Sequence, residues 1–351
     1  MKFLLSRDSI VLFLITLLLS SPIQANDSAV STAIGGLVLT REARVSMQKE
    51  KLFISEKLVR VEYEFLNTSD ADVITEVAFP IPDYKFEWDD PAGDRNFDDF
   101  RLWVEGKPVK YEVEIKALLK GSDRASLLTN AGVDIDSFGH FDWNSMSSRD
   151  VAKLTPQQQA PLAEAELITG REKTPNWTVR KMYHWSQTFP SGRIVHVVHE
   201  YKPVVGWMPV SAKDLDAETR TKHVAEIQSE RRDLASFPPP YLRAAKDIDQ
   251  MCIEPAVQRK IEAAVRARHG SAADFGDNVE MKWVDYILTT ANTWQRPIKD
   301  FELAVERPKR DKWLVSFCWD SPIDKAGPDR FVARKKDFNP DRELRIGFLR
   351  P

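Results

Sequence analysis

Val59-Arg60-Val61-Glu62-Tyr63-Glu64-Phe65 alternates apolar and charged side chains without a break. Successive side chains of an extended backbone point to opposite faces. Val59, Val61, Tyr63 and Phe65 therefore share one face, and Arg60, Glu62 and Glu64 share the other. That is a half-buried strand of an antiparallel sheet, with one side against a core and one in water. Asn67-Thr68-Ser69-Asp70 follows with turn chemistry. Residues 73–79 then return as a strand, stopped by Pro80 and Pro82.

The same reading extends outward in both directions. Upstream, Gly35-Gly36 opens onto a short strand at 37–40. Strands at 45–48 and 52–54 flank Lys49-Glu50-Lys51, which reads as a turn. Downstream, 83–99 is acidic and irregular. Glu105-Gly106-Lys107-Pro108 reads as the turn of a hairpin between 100–104 and 109–114. The period then changes, because Ile115, Leu118 and Leu119 have helical spacing. Thr155-Pro156 joins an N-cap to a proline suited to the first helical position, and most of 157–168 favours helix apart from Pro161. Residues 115–174 are thus expected to be a helical insertion packed on one end of a β-domain. Strands resume at 177–189. Pro190-Ser191-Gly192 turns the chain, and 194–201 is expected to return beside it as a hairpin partner.

A charge-dense helical stretch at 216–236 is closed by Pro238-Pro239-Pro240, and a helix from 255 to 269 stops at Gly270. Beyond it the chain reads as antiparallel β again, with strands at 279–289, 298–306, 313–318, 331–335 and 344–349. The expected fold is mainly β with helical insertions: an antiparallel sheet or sandwich plus a C-terminal α+β region. The expected division is a signal peptide at 1–25 and a β-rich domain at 26–205. A charged helical linker at 206–251 and the C-terminal region at 252–351 complete it.

The N-terminus supports export. Lys2 and Arg7 precede an apolar run from 10 to 19 broken by Thr16 alone; Ser20, Ser21 and Pro22 end it, and Ala25 offers a small residue for cleavage. The run is about half the ~20 residues that a spanning helix needs. An uncleaved anchor is the competing reading. Cleavage predicts a periplasmic or secreted protein without a stable membrane span. Losing Lys2, Arg7 and Asp8 takes the 50 basic and 53 acidic side chains to 48 and 52, a net charge of −4. Nothing in that balance favours nucleic acid or an anionic membrane surface. Cys252 and Cys318 are the two cysteines. In an exported chain they suggest one disulfide, the alternative being two buried thiols.

Several segments resemble a family of exported bacterial proteins catalogued only as a domain of unknown function (four-four-two-four in that series). They include Leu52-Phe53-Ile54-Ser55, Val77-Ala78-Phe79-Pro80-Ile81-Pro82, Val104-Glu105-Gly106-Lys107-Pro108-Val109 and His199-Glu200-Tyr201-Lys202-Pro203-Val204. Val284-Asp285-Tyr286-Ile287-Leu288-Thr289-Thr290, Pro297-Ile298-Lys299-Asp300-Phe301 and Val315-Ser316-Phe317-Cys318 complete the most specific block. The chain departs from the pattern between about 209 and 249. The resemblance implies export, β-structure and a Cys252–Cys318 pair, and it implies no activity.

Candidate chemistry is sparse. Asp94, Asn96 and Asp98 alternate, and Glu105 stands where a twelve-residue calcium loop places its last ligand, but Asp99 occupies the position that needs glycine. His196 and His199 are an odd number of residues apart on a strand, so they face opposite ways and cannot share a metal. His184, on the expected partner strand, could lie near His196 and form a zinc site with Glu200, against the simpler reading that His199 packs and the other two are solvated. Gly-x-Ser-x-Gly, His-Glu-x-x-His, Cys-x-x-Cys and phosphate-loop motifs are absent from the sequence. No metal or other cofactor is expected. Trp177, Tyr183, Trp185, His199 and Tyr201 are the candidate ligand-binding set, against the simpler reading that they pack a sandwich core. The expected role is non-enzymatic binding or assembly with an envelope component that the sequence does not identify. The alternative is a hydrolase acting on an envelope polymer or small ester.

Overall fold

A computed structural model describes residues 28–33, 36–86, 99–136, 141–142, 147–170, 173–230, 240–268, 278–309 and 312–351. Within them the fold is mainly β, with several antiparallel sheets and a few helices. The strand Val59–Asn67 alternates buried and half-buried residues along its whole length, with Val59, Val61, Tyr63 and Phe65 in the core. It belongs to a nine-stranded sheet. There Glu42–Ser55 lies on one side of it and Ile194–Tyr201 on the other, with Arg101–Val104 beyond. Facing it is a seven-stranded sheet, in which Thr178–Phe189 is flanked by Val73–Pro80 and Glu112–Leu119.

The chain repeatedly crosses between these sheets where hairpins were expected. Thr178–Phe189 and Ile194–Tyr201 are consecutive strands but do not pair, since each has both edges occupied within its own sheet. Val59–Asn67 and Val73–Pro80 part in the same way. The two corners touch, and Asn67 fastens them. Its side chain is fully buried; the amide donates to the carbonyls of Phe189 and Ala71, both at 2.8 Å, and its Oδ1 accepts from the Ser69 backbone at 2.9 Å.

Three further local expectations fail. Lys49-Glu50-Lys51 does not turn: Glu42–Ser55 is one continuous strand with an irregularity between Met47 and Lys49, Lys49 lies across from Glu64 in the exposed register, and Glu50 is buried. Arg101–Val104 folds back only as far as Lys107–Pro108 through a tight turn with Glu105 and Gly106 at positive φ, after which the chain crosses sheets. Ile115, Leu118 and Leu119 lie in the strand Glu112–Leu119. Pairing with Thr178–Phe189 decides its conformation, and the apolar period over so short a run could not.

The helical insertion starts later than expected, with helices Ala125–Asn130, Arg149–Lys153 and Pro156–Glu164. Thr155 caps the last of these, accepting from the Gln158 backbone at 3.3 Å while the Gln158 side chain accepts from the Thr155 backbone at 3.0 Å. Trp177 donates its indole N–H to the Ile135 carbonyl, and Lys181 reaches Asp136, fixing the insertion to the sheet.

The C-terminal strands do not all run antiparallel. Ile298–Glu306 pairs in parallel with the open edge of Glu42–Ser55, and Arg330–Phe338 extends the sheet antiparallel beyond it. A strand that returns after a long excursion has no hairpin to fix its direction. The other late strands, Asn278–Tyr286, Leu344–Arg350 and Leu314–Ser316, form a four-stranded sheet with Val205–Ser211.

The four-stranded sheet buries both faces. Val284, Tyr286, Ile346 and Phe348 join the core of the large sheets. Val279, Met281 and Leu349 face a second core closed by Ile248, Met251, Ile261 and Val265 of helices Pro240–Asp249 and Pro255–Arg268 and the turn between them. The expected charged helix appears as Ala217–Glu230. Asp216 caps it through the Thr219 backbone, and buried Arg220 ties it to Asp249 and to the carbonyls of Asp214 and Leu215.

Candidate functional site

A cleft of about 630 Å³ opens where the seven-stranded sheet, the four-stranded sheet and the helical layer meet. Pro82 and Asp83 follow the strand Val73–Pro80, and Arg180 lies near the start of Thr178–Phe189. Gln250 follows the helix Pro240–Asp249, and Asp285 and Tyr286 end the strand Asn278–Tyr286, with Ile287 next. Cys318 and residues 342–345 complete the wall.

Each arginine in the cleft is held by a carboxylate. Arg180 meets Asp83 fork to fork, Nε to Oδ1 at 3.1 Å and Nη2 to Oδ2 at 2.7 Å. Arg345 does the same with Asp285, at 2.6 and 2.9 Å, and its Nη1 donates to Asp247 of the helix above. Burial opposes the charge on Arg345, but Asp285 and Asp247 outweigh it and hold its pKa above the ordinary arginine value. Arg342, largely exposed, donates through Nε and Nη2 to Asp341, both at 3.1 Å. Glu343 accepts from the backbone of Leu288 at 2.7 Å and from the Thr289 hydroxyl at 2.7 Å. The walls are therefore polar, with three guanidiniums and three carboxylates among the described residues of the lining itself.

A second depression of about 210 Å³ shares Cys318, Arg342, Glu343 and Leu344 with the cleft. Phe317, Trp319 and Phe338 line it, and the Lys335 ammonium lies 4.5 Å from the Trp319 ring and 4.4 Å from that of Phe338.

The aromatic set found in the sequence is brought together inside the protein, away from this surface. Trp177, Tyr183, Trp185 and Tyr201 are each at most 5 % exposed, and His199 is fully buried. Tyr183 stacks on Phe100 at 4.0 Å between ring centroids, and His199 lies 4.2 Å from Phe79. These rings fill the space between the sheets. Burial, with the charge of Arg60 adding to it, pushes the His199 pKa down to about 3.

His196 and His199 lie on opposite faces of one strand, His196 largely exposed beside Glu105 and His199 in the core. His184 is on the other sheet, bonded to Glu76 at 2.7 Å, so the expected approach of His184 to His196 does not occur. Their strands cross between layers instead of pairing. Among the described residues no group of three or more His, Cys, Asp or Glu could hold a metal ion. Asp94, Asn96 and Asp98 lie outside the described residues. Glu105 accepts from the His196 backbone at 2.6 Å as part of its turn.

Cys252 and Cys318 are joined, with Cα atoms 4.8 Å apart and a separation of 66 in sequence. The bond ties the turn between the two helices of the layer to the segment after Leu314–Ser316 and borders both depressions. No motif announces the cleft. Arg180 and Asp83 are 97 residues apart, and Arg345 is 60 from Asp285 and 98 from Asp247. The sequence signals near it, Pro82, Val284-Asp285-Tyr286-Ile287 and Cys318, were noted for their resemblance or as a disulfide and not for charge.

No helix of the described residues is long and apolar enough to cross a membrane. No curated protein matches the chain. Among solved structures, one from Legionella pneumophila, described as a "putative nutrient binding protein", is similar at 13 % identity with a TM-score of 0.40. It covers 93 % of this chain and 70 % of that one. A likeness that distant carries no argument about function. The family described as "Domain of unknown function (DUF4424)" matches residues 25–346. The match takes in both large sheets, the helical layer and the cleft, and the chain belongs to that family.

Proposed function

We propose that this is an exported envelope protein that works by binding, and that the arginine-lined cleft is where it holds its ligand. The observation that carries the reading is the convergence of Arg180, Arg342 and Arg345 on one opening, each fixed by a carboxylate from the same chain. Small-molecule sites are typically concave, of ~300–1,000 Å³, with a few fixed polar groups among apolar ones. Pro82, Tyr286, Ile287 and Leu344 supply the apolar part. Among the described residues, the three carboxylates of the lining are already engaged, Asp83 by Arg180, Asp285 by Arg345, and Glu343 by the Leu288 backbone and the Thr289 hydroxyl, which supports holding a ligand over hydrolysing one. The basic, apolar, small order of residues 1–25 supports export.

A thermal-shift screen of the mature chain against a library of small polar metabolites tests the binding role. A ligand present at 100 times its Kd should stabilise the fold by about 2.7 kcal/mol. Arg180→Gln should abolish that gain while the unliganded protein still melts cooperatively. A library without a single stabilising compound, or a bound compound that the enzyme-free control leaves intact and this chain cleaves, contradicts the reading. Mass spectrometry of the protein from its native host tests export, with a chain beginning near Asn26 expected and one beginning at Met1 opposing it.

A further inference from the structure

We infer, resting on the cleft as the ligand site, that the ligand is a neutral polyhydroxylated molecule of the saccharide class. The reason lies in how the charges are already spent. Arg180 and Asp83 engage each other through two bonds, as do Arg345 and Asp285 and also Arg342 and Asp341. A ligand carboxylate would meet guanidiniums already neutralised by carboxylates held bidentately, and would bring negative charge to walls whose carboxylates already match or outnumber the arginines. A ligand ammonium finds Asp83 and Asp285 each held by an arginine and Glu343 already accepting from Leu288 and Thr289. Neither gains what an unpartnered charge would offer.

A fork-to-fork pair nonetheless keeps bonding capacity at its rim. A guanidinium has five N–H donors, and Arg180 gives two of them to Asp83, while each carboxylate oxygen has a second lone pair. Donor and acceptor therefore stand side by side at fixed spacing. A hydroxyl both donates and accepts, so it satisfies the two at once, and neighbouring hydroxyls on a ring repeat the pattern along the wall. The pairs also fix their side chains before any ligand arrives, which lowers the ordering cost of binding. A site of this kind discriminates strongly against an analogue lacking the hydroxyls, because the polar groups would be left unmatched.

The test is an array of neutral mono- and oligosaccharides probed with the full mature chain, with L-glutamate, citrate and L-lysine titrated as charged counter-probes. Saturable binding to at least one neutral saccharide is expected, changed less than about twofold by raising salt to ~0.5 M, because no net charge is exchanged. Asp83→Asn and Arg342→Gln should each weaken it at least about tenfold. Arg342 is exposed enough that its replacement should leave the melting curve unchanged. Binding of glutamate, citrate or lysine that these variants abolish overturns the ligand class and leaves the cleft standing. Saccharide binding that neither variant moves overturns both. An array without a bound saccharide overturns the ligand class.

Discussion

His199 is a titratable ring packed where water does not reach. It stays neutral in the folded protein down to about pH 3, whereas in the unfolded chain it takes up a proton near 6.5. Unfolding therefore binds a proton between those values, and stability falls as pH drops through that window, by about 1.4 kcal/mol per pH unit at the steepest. Above 6.5 the residue has no effect on pH dependence. Urea midpoints followed from pH 7 to 4 should show a smaller decline in His199→Phe than in the parent, and equal slopes would contradict the assignment. Asn67 offers a second residue-level check. Asn67→Ala strands buried acceptors at the contact of two corners and should cost about 1–3 kcal/mol in chemical denaturation. At this scale the sequence was informative where one period governed a residue. The alternation that put Tyr63 in the core also put His199 there and His196 in water. It was silent about Asn67, which as a single letter looked like ordinary turn chemistry.

Elements were legible when their conformation was local. The helix Pro255–Arg268, the strand Ile298–Glu306 and the Thr155 cap fall where their own residues put them. Pairing was not legible, because it depends on which edge is free: two strands joined by Pro190-Ser191-Gly192 look like a hairpin until each is seen to have both neighbours in its own sheet. The fit of the helical layer on the four-stranded sheet gives a sharp test. A Cβ at Gly347 would lie 2.5 Å from the Met251 sulfur and 3.2 Å from the Ser316 carbonyl oxygen. Gly347→Ala should therefore cost about 1–3 kcal/mol by overpacking. Met251→Ala in the same background should reduce that added cost, and strictly additive losses in a double-mutant cycle would refute the contact. The Cys252–Cys318 bond restrains the same layer. Closing a loop across a separation of 66 in sequence is worth ~4 kcal/mol on chain-entropy grounds. Reduction should raise hydrogen exchange first in 240–268, ahead of the large sheets, and uniform loosening would show that the bond acts elsewhere.

On the scale of the whole molecule, the parallel pairing of Ile298–Glu306 with Glu42–Ser55 makes the first large sheet depend on the last part of the chain. Phe301, Leu303 and Val305 are fully buried in the core shared with Val61 and Phe65. A fragment of residues 26–251 lacks those side chains and should show no cooperative unfolding transition; a native-like one would contradict the shared core. The same long-range assembly explains why the cleft could not be read from the sequence. Arg180 and Arg345 meet carboxylates 60 to 98 residues away, and only the completed fold brings Asp83, Arg180, Asp285 and Arg345 to one opening. The cleft as ligand site is the central claim, and a crystal structure of the protein with a saccharide found to bind it in solution tests it most directly. Ligand density is expected between Arg180 and Asp285, with hydroxyls bonded to the Arg180–Asp83 pair, which stays intact. A ligand seated elsewhere on the protein, with the cleft holding only solvent, would contradict the account.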